Sequence, residues 1–139
     1  MNSLIEAGIV EFVSGFLAAN EVTCAVHPGT SNAALPSAEP VVIVNLRECE
    51  HEVAGLYTGR LEVIVSTPAM TQQTVERHRE LVAAVEDAFD PENAADLSAA
   101  VQHSAACTVH GWFYTGPRDT QQDDRWNTTM SFTLGLMRS

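Results

Sequence analysis

The last fifteen residues, RWNTTMSFTLGLMRS, constrain the fold more than any other stretch of the chain. Large and mostly apolar side chains occupy the even positions from Trp126 to Leu136, while Asn, Thr, Ser and Gly occupy the odd positions. Since successive side chains of a strand point to opposite faces, this alternation predicts a half-buried strand of roughly ten residues or more. Ordinary strands run about five or six residues. The length of this closing strand therefore needs an explanation.

The remaining chain divides into segments with helix and strand patterns. Apolar residues recur at helical spacing in residues 3–19 and again from Thr71 onward, which predicts two amphipathic helices. Asp90-Pro91 supplies an N-cap and a first-turn proline, so we expect a short third helix that ends near Val101. Further strands are predicted at residues 22–26, 41–46, 61–66 and 107–114.

A long hairpin is predicted for residues 41–66. Its first strand, VVIVNL, is an apolar run that is typical of a central strand covered on both faces, and Tyr57–Arg60 provides a plausible turn. The polar residues 115–124 are expected to project as a loop. Because strands outnumber helices and pair through hairpins, we expect residues 1–139 to form a single α+β domain. Its mostly antiparallel sheet would pack against two main helices plus one short helix.

The composition excludes several classes of protein. The chain has no Lys, seven scattered Arg and eighteen acidic residues, which give a net charge of −11. Nucleic-acid binding requires clustered cations, so a conventional nucleic-acid-binding function is not expected. Three widely separated cysteines do not suggest a disulfide framework. The apolar N-terminal run lacks the basic start of a signal peptide. We therefore expect folding in a reducing cytoplasm and no membrane partner.

A metal site is one chemical alternative, because Cys24 and His27 have the same spacing as Cys107 and His110. Zinc sites are built from such residues. However, strand residues three positions apart face opposite sides of a sheet, which makes a local chelate difficult to form. A zinc-stabilised interaction module stays open as an alternative, but no metal or other cofactor is predicted.

Catalytic motifs are not found in the sequence. It contains no Gly-x-Ser-x-Gly elbow, no phosphate-binding Gly-Lys loop and no complete metalloprotease motif. Asp123 and Asp124 are paired carboxylates, but they stand beside Arg118 and Arg125, which is typical of a solvated, salt-bridged loop. We predict no catalytic residues and no enzymatic activity.

Aromatic residues on the last two predicted strands indicate a contact surface. Trp112 and Phe113 are adjacent in a strand and cannot both point inward, so one of them is expected on the second face of the sheet. Exposed aromatic side chains often mark interfaces. The apolar first helix, with Phe12 and Phe16, also needs cover from its own sheet or from a partner. These features favour an obligate partner.

Three segments resemble tail terminator and tail-completion proteins of long-tailed bacteriophages. They are VERHRELVAAVEDAF after a strand that ends in Ser-Thr-Pro-Ala, then VHGWFYTG, and finally DDRWNTTMSFTLGLM after a polar loop. In that family the order is helix, hairpin, helix and a closing strand pair, and Arg125-Trp126 is similar to the start of the last strand. The similarity covers essentially the full chain in element order.

The resemblance implies a structural virion protein without catalytic residues, assembled in the host cytoplasm and located at the neck of the tail. It would form a ring, commonly a hexamer, that caps the tail tube and receives the head connector or head-completion protein. DNA would pass through without specific binding, since an acidic ring repels phosphate. The closing strand would then reach beyond the core of one subunit. The candidate subunit or partner contacts are Phe12, Phe16, Trp112, Phe113, Arg118, Asp123, Asp124, Arg125 and Trp126.

Other functions stay open at this point. A tail-tube subunit or a head-completion adaptor of the same neck region has a comparable α+β design and ring habit. A small ligand-binding or enzymatic α+β domain is the alternative from a different class. That alternative predicts a concave pocket in which His110, Tyr114 and an acid converge.

Overall fold

The computed structural model describes residues 2–29, 39–68, 72–122 and 125–138. Within these residues the chain forms three α-helices, one 3-10 turn and five strands. The helices are α1 (Asn2–Ala19), α2 (Gln72–Ala88) and α3 (Ala94–Ala105). The strands are β1 (Ala25–Pro28), β2 (Val41–Val53), β3 (Leu56–Pro68), β4 (Cys107–Gln122) and β5 (Arg125–Arg138).

The five strands form one sheet in the order β1-β2-β3-β5-β4. Only the β1–β2 pair is parallel among these strands, and the other three pairs are antiparallel. The expected α+β class with a mostly antiparallel sheet is therefore confirmed. The first strand lies later than the predicted residues 22–26, because pairing with the start of β2 selects Ala25–Pro28.

The long closing strand β5 lies between two other long strands. It pairs with β3 from Leu56↔Met137 to Pro68↔Arg125, and with β4 from Cys107↔Arg138 to Gln122↔Arg125. Both edges of β5 are thus satisfied inside the subunit. This corrects the expectation that β5 reaches into a neighbouring copy, because its length is explained by the equally long strands on its two sides. The edge strand on this side of the sheet is β4.

Two turn predictions are also corrected. Residues 115–122 belong to β4 instead of a projecting loop, since β5 offers partners as far as Arg125. Tyr57–Arg60 lies within β3, and the β2–β3 turn is at Ala54 and Gly55, whose φ angles are +45° and +85°. Two consecutive left-handed residues form the tight turn that matches the twist of a hairpin. The long hairpin itself is confirmed, with slightly wider bounds than 41–66.

The sheet has a covered face and an open face. All three helices pack on the covered face, where apolar side chains from every layer form a single core. The strand residues of this core are Val42, Val44, Leu46, Leu61, Val63, Val65, Cys107, Val109, Met130, Phe132, Leu134 and Leu136. The opposite face has no helix within the described residues, and Ile43 and Ile64 remain partly exposed there. The prediction that β2 is covered on both faces holds at Val41, which is fully buried on the side opposite the core, but not at Ile43, which stays partly exposed.

Candidate functional site

The apolar face of α1 is covered within the subunit. Phe12 is buried, and its ring lies 6.1 Å from that of Phe89 and 6.4 Å from that of Phe16, which is half-buried. Buried Glu6 adds a polar link, because its carboxylate accepts a hydrogen bond of 2.9 Å from the backbone N–H of Leu46. Most of the apolar surface of α1 is thus used in the core, so Phe12 and Phe16 offer little surface to a partner.

Strand β4 presents its two adjacent aromatic side chains to opposite faces. Trp112 packs on the covered face, where its ring lies edge-on to Phe89 at 6.3 Å. Phe113 points to the open face and is 81% exposed, the highest value among the exposed large apolar residues of the described chain. The predicted split between Trp112 and Phe113 is therefore confirmed. Its role in subunit contact stays a prediction.

A hollow of about 340 Å³ lies on the open face beside Phe113, and Thr58, His110 and Thr133 form part of its lining. In the sheet register Phe113 lies beside Thr133, which is followed on β3 by Arg60. The ring of His110 lies over Gly135, where a Cβ atom would overlap it. Phe113 is thus a single aromatic side chain that stands among hydroxyl, imidazole and guanidinium groups.

On the covered side, a pocket lies between α2 and the end of the β4–β5 hairpin. Its volume is about 350 Å³. We name it the α2 pocket; its lining consists of Val75, His78, Arg79, Val82, Ala83, Glu86, Pro117, Asp119, Trp126, Asn127 and Thr128. Trp126, a predicted contact residue, lines this pocket and is half-buried. The α2 pocket is open to solvent: His78 and Thr128 are its most buried lining residues, Val75, Val82 and Trp126 are half-buried, and Arg79, Glu86 and Asp119 supply charged groups.

A chain of hydrogen bonds forms one wall of the α2 pocket. His78 Nδ1 lies 2.8 Å from Thr67 Oγ1, and His78 Nε2 lies 2.7 Å from Thr128 Oγ1. The Thr128 hydroxyl donates at 2.6 Å to the carboxylate of Asp119. Since a hydroxyl has one proton, Thr128 must accept from His78 Nε2–H, and neutral His78 must then accept from Thr67. The chain joins α2 to three strands.

The imidazole of His78 is held in its neutral form by its surroundings. Burial lowers the pKa of His78, and the nearby Asp119 carboxylate opposes this shift. Sequence analysis missed His78, although a signal was present. The residue lies three positions before Leu81 and seven before Val85, which places it on the buried stripe of α2.

Among the described residues, His110 and Tyr114 do not share the pocket that the ligand-binding alternative predicted. Tyr114 lies on the covered face, stacks on Phe132 and donates a 3.1 Å hydrogen bond to Glu86. Burial and the Glu86 carboxylate raise the pKa of Tyr114 to about 12. His110 lies on the open face. The predicted convergence of His110, Tyr114 and an acid is therefore wrong, because the sheet separates the first two residues.

The predicted contact residues near the last turn have different surroundings. Arg125 donates hydrogen bonds to Ser66 Oγ at 2.8 Å and to the backbone carbonyl of Glu39 at 2.8 Å, so it links three segments of the sheet end. Arg118 is exposed on β4. Asp123 and Asp124 lie outside the described residues. Of the two arginines, Arg118 offers the more accessible charge to a partner.

Charge is distributed unequally between helices and strands. The three helices and the 3-10 turn contain eight acidic and two basic residues, whereas the five strands contain five of each. Their basic residues are Arg47, Arg60, Arg118, Arg125 and Arg138. The helical layer therefore carries most of the negative charge of the described protein, and the sheet is close to neutral.

No group of three or more His, Cys, Asp or Glu side chains is arranged to hold a metal ion in the described part of the chain. Burial raises the pKa of both the Cys24 and the Cys49 thiol, which keeps these sulfur atoms protonated near neutral pH. No helix among residues 2–29, 39–68, 72–122 and 125–138 is long and apolar enough to cross a membrane.

Comparisons with solved structures establish that other proteins share this fold. A chain from the virion of a native gene transfer agent (GTA) particle matches with a TM-score of 0.56 and 18% identity, over 90% of this chain and 91% of that chain. A second solved structure, whose name states no function, matches with a TM-score of 0.52 and 19% identity, over 100% of this chain and 96% of that chain. A comparison with protein-family models found no match, and neither did one with curated proteins.

Proposed function

We propose that this protein is a non-enzymatic structural component of a phage-like virion. The observation that carries the proposal is the fold shared with a chain of the GTA virion, because the two chains correspond over nearly their whole lengths. Neither a cofactor nor a catalytic residue is assigned, and the virion is the proposed location.

Within that class, we propose a tail terminator that forms a ring, with a hexamer as the expected form, at the neck of the particle. The ring would cap the tail tube protein on one side and meet the head connector or head-completion protein on the other. Two properties support this role: the net charge of −11 prevents a firm grip on passing DNA, and strand β4 leaves an exposed edge and an exposed aromatic residue for contacts. A tail-tube subunit or a head-completion adaptor is the alternative within the same class.

The decisive experiment is a mass measurement by light scattering on the purified protein, together with negative-stain images. A terminator should form single rings, or pairs of rings, whose mass is a whole multiple of the 15.0 kDa chain. A tail-tube subunit would instead stack into long tubes under the same conditions. A protein that stays monomeric up to high concentration, and that turns over a small molecule, would contradict the whole class.

A further inference from the structure

Two features on opposite sides of the sheet have no role within the subunit. Phe113 leaves 81% of its surface in solvent on the open face. The α2 pocket opens on the covered side, where Val75, Val82 and Trp126 provide apolar walls. At about 350 Å³ it lies near the lower limit of small-ligand pockets, roughly 300–1,000 Å³, and is large enough for one aromatic side chain. Phe113 is thus an exposed apolar projection, and the α2 pocket is a cavity with apolar side chains in its lining.

We propose that Phe113 of one subunit inserts into the α2 pocket of the next copy, and that this contact builds the ring. The proposal rests on the ring function stated above and assigns its subunit interface. Buried aromatic residues that fill a pocket on the partner are the usual energetic centres of protein interfaces. Because Phe113 and the pocket belong to different surfaces of one subunit, the contact is head-to-tail.

The charge distribution selects a second copy in this orientation. If two copies met through their helical layers, the seven acidic residues other than buried Glu6 would repel those of the other copy, with only two basic residues on each side to compensate. The sheet is close to neutral and can approach the acidic layer without this penalty. Arg60 lies two strands from Phe113 in the same row, and its side chain is 70% exposed. It can face Glu86 and Asp119 at the rim of the pocket.

Head-to-tail contacts have a geometric consequence. An open chain of subunits keeps one unused projection at one end and one unused pocket at the other, so assembly ends only when the ring closes. A face-to-face dimer would instead use the same surface on both copies. The proposed contact therefore makes a prediction for two variants. A variant without the projection keeps its pocket, and a variant without the pocket keeps its projection, so one copy of each can still form a dimer.

The test uses two variants of the full chain. Phe113→Ala removes the projection and keeps the pocket, whereas Ala83→Trp fills the pocket and keeps the projection, since Ala83 is an exposed residue in the pocket lining. Each variant alone should be monomeric by light scattering under conditions in which the wild type forms rings. An equimolar mixture should form a dimer and nothing larger. Met137→Ala is the matched control, because Met137 is also apolar and 45% exposed, and its rings should persist.

The possible results separate the contact from the general function. Rings formed by Phe113→Ala, or by Ala83→Trp, would overturn the contact and leave the ring function intact. Two monomeric variants that do not dimerise on mixing would also overturn it, because the two surfaces would then not meet each other. A wild type that is monomeric at every concentration would overturn the contact together with the ring. Circular dichroism verifies that both variants are folded.

Discussion

The two faces of the sheet are built from alternate residues of the same strands, yet they have opposite properties. On the covered face of β5, Leu134 and Leu136 are fully buried. On the open face, Thr133, which precedes Leu134 in the chain, is exposed, and Phe113 beside it is 81% exposed. Because successive side chains point to opposite faces, one strand can supply buried residues to the core and exposed residues to the opposite surface. One face holds the domain together, and the other is free to make contacts.

The energetics of the two faces differ for the same reason. Each large apolar side chain that becomes buried contributes roughly 1.5–3 kcal/mol, so the core residues of the covered face dominate the stability. On the open face, Arg47 and Glu62 form an ion pair of 2.9 Å, but the arginine side chain is 62% exposed. Exposed pairs of this kind contribute about 1 kcal/mol or less. Substitutions on the open face should therefore change contacts more than folding.

The largest expected effect tests this comparison on two neighbouring residues. Replacing Leu134 by Ala should lower the free energy of unfolding by about 2–5 kcal/mol, because it leaves a cavity in a fully buried layer. Replacing Thr133 by Ala should change it by roughly 0.5 kcal/mol or less. Urea denaturation followed by circular dichroism measures both values. Equal losses would show that the open face is also buried, for example against another copy.

From the sequence alone, the buried residues of the covered face were easier to predict than the arrangement of the strands in the sheet. The alternation from Trp126 to Leu136 indicated which β5 residues are buried, because apolar and polar residues alternate in a strand with one buried face. By contrast, the apolar run at Val41–Leu46 did not reveal that β2 has an open face. The position of a strand in a sheet depends on which strands pair with it, and the composition of the segment does not specify those partners.

The candidate site was predictable only in part, for the same physical reason. The opposite orientation of Trp112 and Phe113 follows from strand geometry, so it could be predicted from the sequence. The α2 pocket could not, because it joins residues that are far apart in the chain, such as His78 and Thr128. The short turn at Ala54 and the continuation of β4 past Gly116 were missed since pairing partners decide both.

The next largest effect concerns two glycines of α1, the helix that shields the covered face. A Cβ atom at Gly8 would overlap Ser104 Oγ and would lie 3.0 Å from both the Ala100 carbonyl oxygen and the Val101 Cα atom. Ser104 cannot move away without cost, because its hydroxyl donates to the Leu4 carbonyl at 2.8 Å. Gly8→Ala should therefore lower the free energy of unfolding by about 1–2 kcal/mol.

Gly15 is the matched control in the same helix. A Cβ atom there meets nothing within 4 Å, so Gly15→Ala should raise the free energy of unfolding by about 0.5–1 kcal/mol through helix propensity. Urea denaturation of both variants measures the difference between them. Stabilisation by both substitutions would show that α1 and α3 do not pack closely at Gly8, and the account of the covered face would need revision.

The smallest expected effect concerns the polar exception on the covered face, the hydrogen-bond chain through His78. Burial lowers the pKa of His78 in the folded chain, whereas the pKa of a histidine in an unfolded chain is about 6.5. The unfolded chain therefore binds a proton more readily as the pH falls below that value, and the folded chain loses stability. For one proton this loss is at most about 1.4 kcal/mol per pH unit.

The matched variant is His78→Gln, whose amide can accept a hydrogen bond from Thr67 and donate one to Thr128 without titrating. We expect the free energy of unfolding, measured between about pH 7 and pH 5, to fall less steeply for this variant than for the wild type. The two proteins differ only at residue 78, so a difference between the two slopes reports on that side chain and its direct partners. Parallel slopes would mean that folding does not hinder protonation of His78, and the covered face would then lack a pH-sensitive element.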